Sequence, residues 1–338
     1  MPIYKNLSQK SQGIFWAVLT CFMVSLIVAI VRHLTDKFHP FHIVMMRNFF
    51  SLVCLIPFIL KDIQKVVKTN HLKTHCLRAV SGLIGMALWF YGVSVLPLAE
   101  LVSLTFTVPI ITTIAAMWFL KEKVDSKIWF SLIMGLIGVL IIIRPGFREL
   151  NFTYLIALII PISWTFSNIL TKKMVASEKP ETITFYLSSI IFIISIPLSA
   201  PYLQAISLID LFWFFLLGVF SSLCYITNAI CYSKADLATI QPFDFTRLIF
   251  TAIIAYFAFG EKMEIATFIG AAIILAGTII ATAKKPWLYF YSGLAEETFV
   301  NRKRSFATNF LRTTNYYIKK NIIRKFKKPH AYCEPKLK

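Results

Sequence analysis

The sequence predicts an all-α integral membrane protein of ten transmembrane helices in two inverted five-helix repeats, followed by a basic cytoplasmic C-terminal tail. Three observations lead there. Hydrophobic residues make up 57% of the 338 and charged residues only 15%, whereas soluble domains run at about half and a quarter. The apolar residues come in long runs, close to the ~20 a helix needs to cross a bilayer core. The second half of the chain also repeats the first after five such runs, an odd number.

Taken in order, the predicted spans are 12–32, 41–60, 76–95, 98–120, 127–144, 152–171, 182–201, 210–232, 236–258 and 264–283. Helix is the secondary structure because lipid offers backbone N–H and C=O groups no outside partner. The first run has no small-residue cleavage site, so it reads as a membrane helix rather than a signal peptide. Very short connections, Leu96-Pro97 between spans 3 and 4 and Gly260-Glu261-Lys262 between spans 9 and 10, force antiparallel neighbours.

The formal charge of +19 does not indicate a nucleic-acid partner, because its cations lie in alternate loops and in the tail and no nucleic-acid-binding motif accompanies them. With the N-terminus inside, 14 cations outside the tail fall on the inner side and 5 on the outer, and the tail adds 14 more to the inner side. The positive-inside rule therefore puts both termini in the cytoplasm of a cell whose inner (plasma) membrane holds the protein. Arg47 and Arg247 are left over, and both fall within spans. The six cysteines form no CxxC pair and the histidines show no ligand spacing, so no cofactor, metal site or disulfide is expected.

Shifted by 139 residues, positions 94–141 align with 233–280 without a gap, with 14 of 48 identical. Leu98-Ala99 matches Leu237-Ala238, Phe106-Thr107 matches Phe245-Thr246, Glu122-Lys123 matches Glu261-Lys262, and Gly138 matches Gly277. The expected division is a first repeat at 12–144, a second at 152–283 and a tail at 284–338. With five spans per repeat the second enters the membrane upside down, an arrangement found in secondary transporters, with the solute near the midplane.

These residues carry a resemblance. Arg47 in span 2, Leu-Pro-Leu-Ala at 96–99, Pro109 in span 4, the acidic ends at Glu122 and Glu261, and Gln-Pro-Phe-Asp-Phe-Thr at 241–246 are similar to two tandem EamA-type domains of the drug/metabolite transporter superfamily, over residues 12–283. The resemblance implies ten spans, no ATP site and a central cavity lined by spans 1, 3, 4, 6, 8 and 9. Members of the superfamily move amino acids, nucleotide sugars, other metabolites or drugs. One branch, S-adenosylmethionine uptake carriers of bacteria that live inside host cells, is similar in span 2, in Gly-Met-x-x-Trp-x-Tyr-Gly at 85–92 and in span 9.

An ionisable group inside a span is a functional candidate because lipid does not solvate it. Arg47, Glu100, Asp244 and Arg247 qualify, the last two one helical turn apart on one face. Asp244 or Glu100 would meet a cationic group, and Arg47 or Arg247 a carboxylate or phosphate; alternatively Asp244 and Arg247 neutralise each other as a structural pair. The repeat sharpens the choice, because Asp244 aligns with Thr105 and Arg247 with Val108, so the charges belong to one half only. Trp89, Trp164 and Phe243 are the rings best placed to hold a base or cation. Pro109 and Pro242 are expected to bend spans 4 and 9 as structural hinges. Glu122 and Glu261, present in both halves, read as capping or pairing residues.

The function expected is secondary transport of small polar metabolites, with S-adenosylmethionine uptake as the leading substrate. The alternatives are export of amino acids or other metabolites, or a passive channel or membrane scaffold. No Walker A, HExxH or GxSxG motif suggests an enzyme. Basic and apolar residues at mostly four-residue spacing in 302–328 predict an amphipathic helix on anionic lipid. The expected partners are thus a small-molecule substrate and membrane lipid, with a homodimer as a further possibility.

Overall fold

The structure, a computed structural model, describes residues 8–61, 66–96, 98–144, 152–260 and 264–282. The tail lies outside them, and with it the predicted amphipathic helix. The described residues contain helices and no strand. In chain order these are α1 (Gln9–Thr35), α2 (Pro40–Lys61), α3 (Leu72–Val95), α4 (Leu98–Thr105), α5 (Val108–Ala115), α6 (Ser126–Ile143), α7 (Phe152–Met174), α8 (Pro180–Ser199), α9 (Leu208–Lys234), α10 (Leu237–Ile240), α11 (Thr246–Phe259) and α12 (Ile265–Thr282).

Among the described residues, 8 helical stretches are long and apolar enough to cross a membrane. They follow α1, α2, α4 with α5, α6, α8, α9, α10 with α11, and α12. α3 and α7 are 24 and 23 residues long. They pack along each other through small and hydroxyl residues such as Gly85 and Ser163, the composition that lets membrane helices approach closely. The outer surface is strongly apolar: Leu208, Phe257 and Ile265 are 86%, 79% and 79% exposed. Water would penalise such a surface and a bilayer accommodates it.

Two stretches that the sequence pattern reads as single spans are broken. α4 stops at Thr105 and α5 starts at Val108. Thr105 and Thr107 turn their hydroxyls back onto the carbonyls of Val102 and Leu104, at 2.7 and 2.6 Å. Pro109 stands in the first turn of α5, where it has no N–H to lose from a ladder. The second-half break is longer. α10 gives way to a 3-10 turn, Gln241–Phe245, with Pro242 in its first turn, before α11 begins. Thr246 there donates to the Phe243 carbonyl at 2.6 Å.

Both broken stretches end alike. Lys121 is left-handed at φ 56° and its N–H reaches back to the Ala116 carbonyl. Gly260, 139 residues on, is left-handed at φ 65° and its N–H reaches the Ala255 carbonyl. Just beyond Lys121, the two carboxylate oxygens of Glu122 accept from the N–H groups of Leu237 and Ala238, each at 2.9 Å, and so cap α10. Glu261 lies outside the described residues.

The helices pack in matched pairs. α1 runs along α9 and α11, while α7 runs along α3 and α5. Thr112 on α5 bonds Thr165 on α7 at 2.9 Å, and Thr251 on α11 bonds Ser25 on α1 at 3.1 Å. α6 packs against α12, where a Cβ added to Gly138 would stand 2.7 Å from the Gly270 carbonyl oxygen. Ser131 donates to the Gly277 carbonyl across the same contact, at 2.6 Å.

Candidate functional site

α9 forms the spine of the site. Ser221, Tyr225, Asn228 and Tyr232 are spaced four, three and four residues apart and so share one face of an apolar helix. Arg47, on α2, docks on the first two: its Nε donates to Ser221 Oγ at 2.8 Å and its Nη2 to Tyr225 Oη at 2.7 Å. The guanidinium carbon also lies 5.4 Å from the Tyr225 ring centre. These neutral partners solvate the cation without cancelling its charge.

Asp244 sits in the 3-10 turn before α11, facing the same region. Beside it, the Phe243 carbonyl accepts from Cys21 Sγ of α1 at 3.4 Å, and Phe243 packs with Tyr232 of α9. Arg247 approaches it at 3.6 Å, a loose ion pair whose side chains are 32% (Asp244) and 21% (Arg247) exposed. Neither group is sealed into the protein, so both remain able to meet a solute. Arg247 also lies 4.4 Å from the centre of the Phe106 ring, and that ring stacks on Phe245 with centroids 6.1 Å apart. Phe245 in turn fills the space left by Gly135, where a Cβ would stand 2.2 Å from the ring. The Arg247 carbonyl accepts from Ser25 Oγ at 2.9 Å and ties the start of α11 to α1.

The structure brings Arg47, Asp244 and Arg247 to one region, around α9 and α1. Trp89 and Trp164 form a second group on α3 and α7, packed with Leu96, Leu101 and Ile160. Trp164 lies against bare Gly85, where a Cβ would stand 2.6 Å from the indole. Both indoles are partly buried. Phe243 is buried, with its ring among Ile240, Tyr232 and Cys231. Glu100 falls in the first turn of α4, and its side chain lies outside the description. Among the described residues no group of three His, Cys, Asp or Glu could hold a metal ion.

Three participants escape a reading of the sequence by single residues. Ser221 and Tyr232 belong to the polar stripe on α9, whose four-three-four spacing is visible in the sequence once that span is read as a helix. Arg78, the third, lies two turns into α3, where the charge count assigns it to the preceding loop. It is 5% exposed. Its Nη1 donates to the Ile183 carbonyl at 3.1 Å, and its Nε has no partner.

The profile of the EamA-like transporter family matches residues 11–144 and again residues 151–283. The chain is 31% identical over 281 residues to the S-adenosylmethionine uptake transporter of Rickettsia bellii (strain RML369-C), covering 82% of this chain and 97% of that one. It is 28% identical over 235 residues to the riboflavin transporter of Brucella anthropi, covering 68% of this chain and 83% of that one. A solved crystal structure, 16% identical, superposes with a TM-score of 0.69 over 81% of this chain and 98% of the other, which establishes the fold in common. With two repeats of one domain, long apolar helices and transporters among its relatives, the chain belongs to the EamA-like transporter family of multi-pass membrane proteins.

Proposed function

We propose that the protein is a ten-span secondary carrier that takes up S-adenosylmethionine through a polar cleft between two inverted repeats. The repeats are 12–144 and 152–283, both termini are cytoplasmic, and the tail at 284–338 rests on anionic lipid. Several features support inversion. With α4 and α5 counted as one broken span, and α10 and α11 as another, each repeat holds five spans, an odd number. The packing partners exchange when the halves are exchanged, as the hydroxyl pairs Thr112–Thr165 and Thr251–Ser25 illustrate. Two similar halves in opposite orientation give outward-open and inward-open states of similar energy.

The observation that carries the substrate reading is the half-open Asp244–Arg247 pair at a helix break, beside Arg47 held by the neutral hydroxyl acceptors of Ser221 and Tyr225. A solute with a fixed cation, an ammonium and a carboxylate matches such separated charges. S-Adenosylmethionine has all three, together with an adenine for Trp89 or Trp164. The similarity to riboflavin transporters favours an aromatic heterocycle as cargo. Riboflavin offers no carboxylate or ammonium, however, so the charges favour the sulfonium compound.

The test is counterflow in proteoliposomes with labelled S-adenosylmethionine and labelled riboflavin. Wild-type protein should accumulate the first in a saturable manner and accelerate when the opposite side is preloaded. Asp244→Asn should lower that uptake about tenfold or more, the loss of one charge-assisted contact. Undiminished uptake by Asp244→Asn at normal abundance removes Asp244 from the site, and uptake of riboflavin alone replaces the substrate.

A further inference from the structure

Arg78 is a buried guanidinium with no anion beside it among the described residues. It is 5% exposed, its one hydrogen bond to protein goes from Nη1 to the Ile183 carbonyl, and its Nε has no partner. No carboxylate pairs with it among the described residues. Glu178 pairs one turn away with His75, whose Nε2 lies 2.6 Å from Oε2, and its other oxygen takes the Thr69 hydroxyl. That acid is therefore already committed. An uncompensated charge in a buried position is strongly unfavourable, and one kept inside a membrane protein is a functional group by default.

What Arg78 faces is informative. Ala79, its neighbour on α3, and Tyr225 of α9 pack in one cluster. Tyr225 is the residue that holds Arg47, and Tyr232, two turns along the same face, packs with Phe243 beside Asp244. Arg78 and Asp244 thus lie near neighbouring stretches of the polar face of α9, a cation at one and an anion at the other. An α-amino-acid head group, with its carboxylate and ammonium on one carbon, has the complementary polarity.

We propose that Arg78 is the carboxylate anchor of the solute site, holding the acid end of an α-amino-acid head group whose ammonium faces Asp244. Guanidinium suits this task because its planar fork donates two parallel hydrogen bonds to a carboxylate, and Nε is one of the two donors of its commonest edge. The inference rests on the carrier reading above, and it adds which end of the solute goes where.

The experiment compares purified full-length wild type, Arg78→Gln and Arg78→Lys in nanodiscs, by ligand-induced thermal stabilisation. The probes are S-adenosylmethionine and its decarboxylated analogue, and in parallel L-methionine and L-methioninamide. For wild type, each carboxylate-bearing probe should be effective at a concentration tenfold or more below that of its partner. In Arg78→Gln that gap should vanish while the response to the carboxylate-free probes stays as in wild type, and Arg78→Lys should restore part of it. A gap that survives in Arg78→Gln, or equal responses to all probes in wild type, overturns the assignment. A variant that melts early and weakens all four probes alike also overturns it, because it shows that Arg78 serves only to pin α3 to the start of α8. If the methionine pair shows an Arg78-dependent gap while S-adenosylmethionine neither binds nor is transported, the substrate reading fails and the anchor stands.

Discussion

Phe106 and Phe245 hold the same place in the two repeats and stack on each other with centroids 6.1 Å apart. What surrounds them differs. Thr105 and Val108 flank the first ring, and Asp244 and Arg247 flank the second. The backbone around both is alike, with a proline-marked break close to each ring and a left-handed residue, Lys121 or Gly260, 139 positions apart at the helix end. The shared features are those that shape the scaffold, and the unshared ones are charges. The halves even cooperate across the boundary, because the Arg247 guanidinium rests 4.4 Å from the centre of the first half's Phe106 ring. A carrier that must adopt two opposite states needs symmetric mechanics, but a solute with distinguishable ends needs an asymmetric site. In the proposed carrier the two requirements are separated by residue type.

Three substitutions probe that separation. The largest effect should come from giving the second half the first half's residues, Asp244→Thr with Arg247→Val. Two charge-assisted contacts at about 1.5–3 kcal/mol each correspond to a loss of uptake of about 100-fold or more. The melting temperature should stay near wild type, because the pair is half-open and loose. Collapse of the fold instead would make the pair structural. The next is Glu122→Ala, which leaves the N–H groups of Leu237 and Ala238 without their acceptor. It should cost about 2 kcal/mol, read as a lowered melting temperature, with Glu122→Gln losing less because one acceptor oxygen remains. The smallest is Lys121→Gly, which makes the first repeat end like the second. Relief of the left-handed conformation against the added backbone entropy should stabilise by about 0.5–1 kcal/mol. A destabilised Lys121→Gly would mean the lysine side chain contributes more than its backbone strain removes.

Much of this was legible in the chain itself. The described residues are helical along the apolar runs, and 8 stretches are long and apolar enough to cross a membrane, because so blunt a pattern is set by long apolar runs alone. The breaks were signposted by Pro109 and Pro242, since proline cannot donate to the ladder it interrupts. The Asp244–Arg247 pair followed from local spacing. Contacts between distant segments did not. Arg47 meets Ser221 and Tyr225 across 174 and 178 residues, and nothing at position 47 says which helix will face it. Arg78 was hidden by its position at a span margin, where sequence cannot distinguish a cation in a wet loop from one packed inside. The Phe106–Phe245 stack needed the two halves to be folded onto each other before equivalent residues could be seen as neighbours.

The grip of Glu122 has a genetic corollary. Its oxygens hold amide hydrogens, which every amino acid but proline supplies, so no exchange of side chain at 237 or 238 can release it except by introducing proline. The burden of preserving this link between the halves therefore falls almost wholly on position 122. Variants accumulating at 237 and 238 would be tolerated for that link as long as they avoid proline and still fit among their buried neighbours.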